Sequence, residues 1–318
     1  MTLDAALGFL KASADPTRLR LLALLASGEA TVGELVQVLG QSQPRVSRHL
    51  RVLNEARLVS CFRDGQWVYY RSDPAAPAAE LLERIVALAR SADATLAEDQ
   101  ARMVDIRHKR ERYAITAPTG PRLWAEPAAG RPDPVILGQA LDDALGGQGV
   151  GDVLDVGVGA GMLLGLLAPR ARSAVGLDIA RGMRVLARSR LQQAGHAHCT
   201  IRAGDMHALP FPDLAFDLVV LDEVLSLSAQ PAQALAEAAR VLRPSGRLLL
   251  FDRILPAALR LPGSHGASRG LFENQLAVLL RGAGLRPGNP AWLPAGSPSF
   301  ALVTAVAAAA PRGTGTHA

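Results

Sequence analysis

The sequence predicts two domains of different class, an α+β domain followed by an α/β domain with a doubly wound parallel sheet. Residues 1–113 carry helical patterns and one aromatic-rich pair of short strands, whereas residues 150–306 alternate short apolar strands with helical runs. Such alternation is typical of parallel α/β sheets. Residues 114–149 between them are rich in Pro and Gly and predict a linker.

The composition predicts a globular protein. Apolar residues make up 49% of the chain and charged residues 20%, which excludes a wholly disordered or collagen-like chain. No apolar run reaches about 18 residues, and the N-terminal segment lacks the features of a secretory signal, so we expect no membrane association. Two cysteines, Cys61 and Cys199, fit a reducing cytoplasm. The isoelectric point of about 9.8, at a net charge of +5, favours a nucleic-acid partner or reflects an arginine-biased composition alone.

Signals for helix starts place three short helices between residues 15 and 55. The first start is marked by Asp15 before Pro16, and the second by a capping box in which Thr31 precedes a glutamate at the third helical position. The third is marked by Ser42 before Gln43-Pro44. The last helix would bury Val46, Leu50 and Leu53 on one side. Its other face is then polar and cationic and holds Ser42, Gln43, Arg45, Ser47, Arg48 and Arg51.

Two short helices joined by a glycine-containing turn, the second with a cationic face, predict a helix-turn-helix. Arginine pairs with guanine and glutamine with adenine, and further arginines hold phosphates. Residues 40–72 carry six arginines against two carboxylates, a local charge of +4. A solvated helix face is the alternative interpretation.

A hairpin should follow, because alternating residues flank Asp64-Gly65. A hairpin directly after a helix-turn-helix is a wing, and Arg63 near its tip is placed for the minor groove or a phosphate. On the return strand, Trp67, Tyr69 and Tyr70 favour ordinary packing.

The segments ADPTRLRLLALL, GELVQVLGQSQPRVSRHLRVLNEARLV and FRDGQWVYYRS resemble the ArsR family of winged-helix repressors over about residues 3–73. The resemblance implies a winged-helix DNA-binding domain at 1–76 and a homodimer that binds double-stranded DNA at a palindromic operator. A long helix at 77–113, together with the first helix, would form the dimer interface. Val36 and Val38 stand where arsenic-sensing members carry cysteines, and His108 is a lone histidine, so we expect no metal site.

The second domain begins with an apolar strand that opens into a glycine-rich turn, VLDVGVGAG at 153–161. Asp178 follows Asp155 by 23 residues at the end of the next strand, where a carboxylate can accept both ribose hydroxyls. Asp205 ends a third strand and can accept from an adenine amino group. The G-x-G-x-G spacing favours a nucleoside without a pyrophosphate, although NAD-binding turns look alike.

The segments VLDVGVGAG, VGLDIARGM, AGDMHALPFPDLAFDLVVLDEVL and AARVLRPSGRLLLFD resemble class I methyltransferases that use S-adenosylmethionine (SAM), close to the UbiE-like branch, over about 150–252. The resemblance implies a Rossmann-like domain at 150–306 and SAM or its demethylated product S-adenosylhomocysteine (SAH) as cofactor. The composition of the last residues, 307–318, predicts a disordered tail. Asp178 would hold the ribose and Asp205 the adenine. The residues expected around the methionine part are Asp155, Gly157, Gly159 and Gly161, and the apolar contacts are Ile179, Met183, Met206 and Leu221.

The sequence does not identify a catalytic residue. Asp222 and Glu223 either bind a substrate or are charges in a strand-end loop, and His207 and His265 are either bases or surface histidines. Tyr113 and Trp124 are the only aromatic residues of the Pro-rich segment that would cover the ligand. Three functions follow: a transcriptional regulator that senses SAM or SAH, an active methyltransferase that regulates its own operon, and a second domain that only stabilises a dimer. We favour the first, in which the long helix transmits the signal.

Overall fold

The computed structural model of the chain describes residues 2–73, 79–116, 131–255, 271–293 and 300–307. The chain divides into two compact units, Met1–Pro121 with Val185–Ala203 and Arg122–Arg184 with Gly204–Ala318. Within the described residues, no helix combines the length and the apolar character that crossing a membrane requires.

The first unit contains a helix-turn-helix followed by a β-hairpin, as predicted. The elements of its N-terminal part are, in chain order, α1 (Leu3–Ser13), α2 (Pro16–Ala26), β1 (Ala30–Thr31), α3 (Val32–Leu39), α4 (Gln43–Glu55), β2 (Val59–Asp64), β3 (Trp67–Ser72), α5 (Ala79–Ala92) and α6 (Ala94–Thr116). The three strands form one antiparallel sheet in the order β1-β3-β2.

Capping interactions start these helices at the predicted residues. Asp15 accepts a hydrogen bond from the Arg18 amide at 3.0 Å, and Thr31 and Glu34 form both halves of the capping box. Ser42 is the N-cap residue of α4, but its side chain makes no capping hydrogen bond. A proline in the first turn of α4 favours the start instead, because its fixed φ suits a helix and its missing N–H is not needed there.

The long helix predicted at 77–113 is two helices in the structure. Helix α5 ends at Ala92, α6 begins at Ala94, and Asp93 lies between them. The Asp93 carboxylate accepts hydrogen bonds from the amides of Thr95 and Leu96 at 2.8 and 3.2 Å. A side chain that satisfies these amides favours a new helix start over continuation of the old helix.

The segment Val185–Ala203 of the first unit contributes a fully buried arginine. The Nε of Arg188 pairs with Glu29 and its Nη2 lies 3.1 Å from Asp64 Oδ2. Its guanidinium carbon lies 4.0 Å from the centre of the Tyr69 ring. Burial raises the pKa of Glu29, and the charge of Arg188 opposes that shift. These charges depend on each other, because a buried charge left without its partner is costly.

The α/β fold is built from the remaining elements. They are α7 (Pro134–Leu145), β4 (Gly151–Val156), α8 (Met162–Leu167), β5 (Ala171–Asp178), α9 (Arg181–Gln193), β6 (Cys199–Ala203), β7 (Phe216–Asp222), α10 (Pro231–Val241), β8 (Leu242–Leu255), β9 (Leu271–Phe272), α11 (Glu273–Gly282), β10 (Leu285–Pro287), β11 (Ala291–Leu293) and β12 (Phe300–Ala307). The sheet order is β10-β12-β8-β7-β4-β5-β6, with β11 beside β12 and β9 beside β8.

The centre of this sheet is parallel, which confirms the predicted class. Strands β5, β4, β7 and β8 are parallel neighbours, whereas β12 and β10 extend the sheet in antiparallel pairing. Val156 at the end of β4 pairs with Leu177 of β5 and with Leu221 of β7. Residues that follow these three strands therefore gather at one edge of the sheet, where ligands bind in α/β folds.

Helix α7 occupies part of the range 114–149 that the Pro and Gly content predicted to be a linker. Asp133 caps it by accepting from the Val135 amide at 2.8 Å. The helix buries Leu137, Leu141 and Leu145 at helical spacing. Residues 117–130 of that range, and 308–318 of the predicted tail, lie outside the described residues.

Candidate functional sites

Helix α4 separates an apolar face from a cationic one. Val46, Leu50 and Leu53 are completely buried. The predicted contact residues lie on the opposite side, exposed except for the half-buried Ser47; they are Ser42, Gln43, Arg45, Ser47, Arg48 and Arg51. Among the described residues, no carboxylate forms an ion pair with the three arginines of this set. The face therefore offers free cations, which suits the phosphates of DNA.

The hairpin β2–β3 turns one residue later than predicted. Asp64 pairs with Trp67, so the loop consists of Gly65 and Gln66, and Gly65 has a φ of +61°. Arg63 is exposed, whereas the neighbouring Asp64 is buried. Tyr69 is buried, in line with the packing role expected for the return strand.

The glycine-rich turn after β4 has a conformation that only glycine fits at its first position. Gly157 has a φ of +83°, and a Cβ there would lie 2.1 Å from Val224 Cγ1 and 3.0 Å from the carbonyl oxygen of Asp222. Gly159 and Gly161 also have positive φ values, and Gly161 is the N-cap residue of α8. The turn thus brings bare backbone to the edge of the sheet, where a ligand can approach closely.

Asp178, at the end of β5, stabilises this turn by hydrogen bonds. One carboxylate oxygen accepts from the Gly159 amide at 3.0 Å and the other from the Ala180 amide at 2.7 Å. Burial raises the pKa of Asp178, and these two hydrogen bonds oppose the shift. Each oxygen keeps a second lone pair, so the carboxylate can also accept from ribose hydroxyls.

Asp155 is a buried carboxylate without a partner. Its side chain is 0% exposed, and neither oxygen has a hydrogen-bond partner among the described residues. Burial raises the pKa of Asp155 well above its ordinary value, and the nearby Asp222 raises it further. A buried carboxyl group without a partner is suited to accept a hydrogen bond from a cationic ligand, which would also compensate its charge.

Arg131 lies beside the same acids, although no pattern in the sequence predicts it there. Its Nη2 is 3.1 Å from both oxygens of Asp222, its Nη1 pairs with Glu223, and its guanidinium carbon lies 5.0 Å from the centre of the Phe251 ring. Burial raises the pKa of Asp222 to about 7, although Arg131 lowers it. No local signal marks Arg131, since it lies in the Pro-rich stretch and its partners are 91 and 92 residues away.

Asp205 and His207 form a short hydrogen-bonded chain with a residue of another loop. Asp205 Oδ1 accepts from the His207 amide at 2.9 Å and lies 2.8 Å from His207 Nδ1. His207 Nε2 lies 2.8 Å from Ser228 Oγ. The Asp205 side chain is 53% exposed, so it remains accessible to a ligand.

The predicted apolar contacts differ in exposure. Ile179 is 79% exposed, whereas Met183 and Leu221 are buried and Met206 is half-buried against the core. An exposed isoleucine at the end of β5 leaves an apolar surface for a ring to cover. His265, Trp124 and the side chain of Tyr113 lie outside the described residues.

The described residues contain no group of three or more His, Cys, Asp or Glu side chains that could hold a metal ion. Cys61 is exposed and Cys199 is buried.

Comparison with known proteins assigns both parts of the chain. The family model of the bacterial regulatory proteins of the arsR family matches residues 15–60, and a methyltransferase domain model matches residues 154–250. The transcriptional repressor SdpR of Bacillus subtilis (strain 168) is 42% identical over 60 residues, which are 19% of this chain and 67% of that protein.

The second part of the chain is similar to the uncharacterized methyltransferase YcgJ of the same organism. The two are 34% identical over 104 residues, which are 33% of this chain and 41% of YcgJ. A crystal structure of YcgJ aligns with 55% of this chain and 99% of its own, at 20% identity and a TM-score of 0.46. The chain spans 32%, 41% and 53% of the lengths of the first curated relatives that it matches.

The SdpR match includes two thirds of that repressor, and the arsR model matches the helix-turn-helix described above. The chain therefore belongs to the ArsR family of bacterial regulatory proteins and carries a Rossmann-like methyltransferase domain after its helix-turn-helix.

Proposed function

We propose that this chain is a transcriptional regulator, acting as a repressor, whose methyltransferase domain binds SAM or SAH and thereby changes its affinity for operator DNA. The observation that carries the proposal is Asp155, a fully buried carboxyl group without a hydrogen-bond partner at the ligand edge of the sheet. A protein retains such a group where a ligand completes it, and the ammonium group of SAM or SAH supplies the missing donor.

The surrounding residues fit the rest of an adenosyl ligand. Gly157, Gly159 and Gly161 would lie along the methionine part, and Asp178 would accept from the ribose. Asp205 would accept from the adenine amino group, and the adenine would pack against Ile179, Met183, Met206 and Leu221. When bound, SAM supplies an activated methyl group; the residues of this chain bind and orient it.

DNA binding is proposed for the exposed face of α4 and for Arg63. Gln43 and Arg45 at the start of the helix would read base edges, and Arg48, Arg51 and Arg63 would hold phosphates. Such a protein would act in the cytoplasm, where bacterial DNA lies.

A homodimer on a palindromic operator is proposed from two helices of the first unit. Helices α1 and α5 expose leucines that a monomer would leave in water; they are Leu3, Leu7, Leu10, Leu81 and Leu88. Large exposed apolar side chains on adjoining turns are typical of association surfaces.

The ligand must bind the DNA-competent and DNA-incompetent states unequally, because equal affinity shifts no equilibrium. A coupling free energy of about 1–3 kcal/mol would change operator affinity by about 5–150-fold. Helix α6 (Ala94–Thr116) is followed, after residues 117–130, by Arg131. A ligand that displaces Arg131 from Asp222 would therefore act on the chain segment that leads back to this helix.

A second candidate is an active small-molecule methyltransferase that regulates its own operon. It is favoured by the buried Asp222 and the half-buried Glu223, two acids next to Arg131 that would face an acceptor bound beside the methyl group. Methyl transfer to a good nucleophile needs little acid–base assistance, so positioning by these charges could suffice.

Titration calorimetry of the full chain with SAM and SAH, followed by anisotropy of a labelled DNA fragment from upstream of its own reading frame, tests the proposal. We expect binding of at least one ligand and a change of at least fivefold in DNA affinity. Equal DNA affinity with and without a bound ligand would exclude the regulatory function. Release of SAH from SAM in the presence of cell extract would then favour the methyltransferase.

A further inference from the structure

The turn at residues 205–208 is built around His207. The Ala208 amide donates to the Asp205 carbonyl at 3.1 Å, and Gln233 Nε2 donates to the His207 carbonyl at 2.9 Å. Together with the two contacts to Asp205 Oδ1, these bonds fix the imidazole in one orientation. A carboxylate at Nδ1 favours the proton on that nitrogen and leaves Nε2 to accept from a hydroxyl.

That hydroxyl belongs to Ser228, in the loop of residues 223–230 that follows strand β7. The loop begins at Glu223, next to Asp222 and Arg131, and ends where Ser228 Oγ accepts from the Gln230 amide at 3.0 Å, just before helix α10. The imidazole of His207 is hydrogen-bonded both to Asp205, which follows strand β6, and to Ser228 of this loop. His207 therefore connects Asp205, where the adenine would bind, with the loop beside Asp222 and Glu223, where an acceptor would bind.

We propose that His207 is a positioning residue that couples recognition of the adenine amino group to the order of loop 223–230. The inference rests on the proposed function, because it requires that Asp205 accepts from adenine. Asp205 Oδ1 is taken by His207, while Oδ2 makes no hydrogen bond within the turn and is left for the ligand. A bound adenine would fix the orientation of the Asp205 carboxylate, which is hydrogen-bonded to the His207 imidazole. The imidazole in turn is hydrogen-bonded to Ser228 and so orders the loop.

This coupling predicts that Ser228, which would not touch the adenine, influences how strongly the adenine amino group is recognised. Without the Ser228 hydroxyl, the imidazole keeps one anchor instead of two and Asp205 is held less firmly. The acceptor side of the domain thereby affects nucleoside specificity, and the nucleoside affects the loop beside Asp222 and Glu223.

The test compares the affinities of the full chain for SAH and for S-inosylhomocysteine, which lacks the amino group, by titration calorimetry. A hydrogen bond to a carboxylate predicts about a tenfold or greater preference of the unaltered chain for SAH. His207→Phe and Ser228→Ala should each reduce that preference to about twofold, and Ser228→Thr, which keeps the hydroxyl, should restore it. Ser226→Ala is the matched control, because Ser226 lies in the same loop and contacts Asp252 instead of His207.

Thermal unfolding of each variant verifies that it is folded before the preferences are compared. If Ser228→Ala keeps the full preference for SAH over S-inosylhomocysteine, His207 does not couple the loop to adenine recognition and the inference is wrong. If the unaltered chain binds both nucleosides equally, Asp205 does not read adenine and the inference again fails, while the proposed function stands. Failure to bind either nucleoside would overturn the proposed function and this inference with it.

Discussion

Replacing Asp155 by asparagine should stabilise the ligand-free protein and weaken its ligand binding. The carboxyl group is fully buried, has no hydrogen-bond partner among the described residues, and has a pKa raised by burial. A carboxyl group whose pKa is raised on folding contributes most to stability below its unfolded pKa and loses that contribution as pH rises toward its folded pKa. Asparagine has the same shape and does not ionise, so it escapes this loss.

The expected gain for Asp155→Asn is about 1–3 kcal/mol in the free energy of unfolding at pH 7, because a buried carboxylate without a hydrogen-bond partner carries at least the cost of an unpaired buried polar group. For a domain of this size, that is about 2–4 °C in melting temperature per kcal/mol. The gain should shrink as pH falls and be nearly lost at pH 4, where even the unfolded chain's carboxyl group is about half protonated. Affinity for SAH should fall by about 10- to 100-fold, because one charged hydrogen bond is lost.

Thermal unfolding at pH 4, 5.5 and 7, together with calorimetry with SAH, measures both effects. Asp152→Asn is a matched control on the same strand. Hydrogen bonds from Arg172, and then from Ser173 and Arg243, lower the pKa of Asp152 to about 2. That variant should lose stability at pH 7, by about 1 kcal/mol because Arg172 is exposed, and the loss should vanish as pH falls toward 2.

Two results would contradict the role assigned to Asp155. Destabilisation at pH 7 would mean that the carboxyl group has a partner in solution. Unchanged SAH affinity would mean that the ligand does not use this group.

Three further predictions concern other parts of the molecule. Gly157→Ala should abolish SAH binding in calorimetry and destabilise by about 1–3 kcal/mol, because its backbone is left-handed and a Cβ has no space; Gly138→Ala, in a helix with nothing within 4 Å of its Cβ, should bind normally. Arg188→Met should lower the free energy of unfolding, measured by chemical denaturation, by about 3–5 kcal/mol, because it leaves the buried Glu29 without its partner. Adding Glu29→Gln should recover part of this loss, and an equal or larger loss in the double variant would contradict the prediction. Arg51→Ala should weaken operator binding and lower the slope of log affinity against log salt by about 0.9, and an unchanged slope would remove Arg51 from the phosphate contacts.

The sequence was sufficient for features that depend on neighbouring residues. Asp15, the Thr31 capping box and the spacing of Val46, Leu50 and Leu53 act within one or two helical turns, so the helix-turn-helix could be predicted from them. The parallel sheet could be predicted because each of its central strands is a short apolar run between helical patterns. The break at Asp93 was missed although its signal is local, since a capping aspartate within a long helical pattern resembles an ordinary surface acid.

The composition of the candidate site was decided by the tertiary structure. The sequence pointed to the acids at the strand ends, because strand order fixes where each strand terminates. It did not reveal Arg131 among them, or Arg188 between Glu29 and Asp64, or Ser228 against His207. Each of these contacts joins residues that are 21 to 159 apart in the chain. A sequence does not distinguish a solvated arginine or histidine from a buried one. Only folding removes the water around such a side chain, and the tertiary structure determines which group it then pairs with.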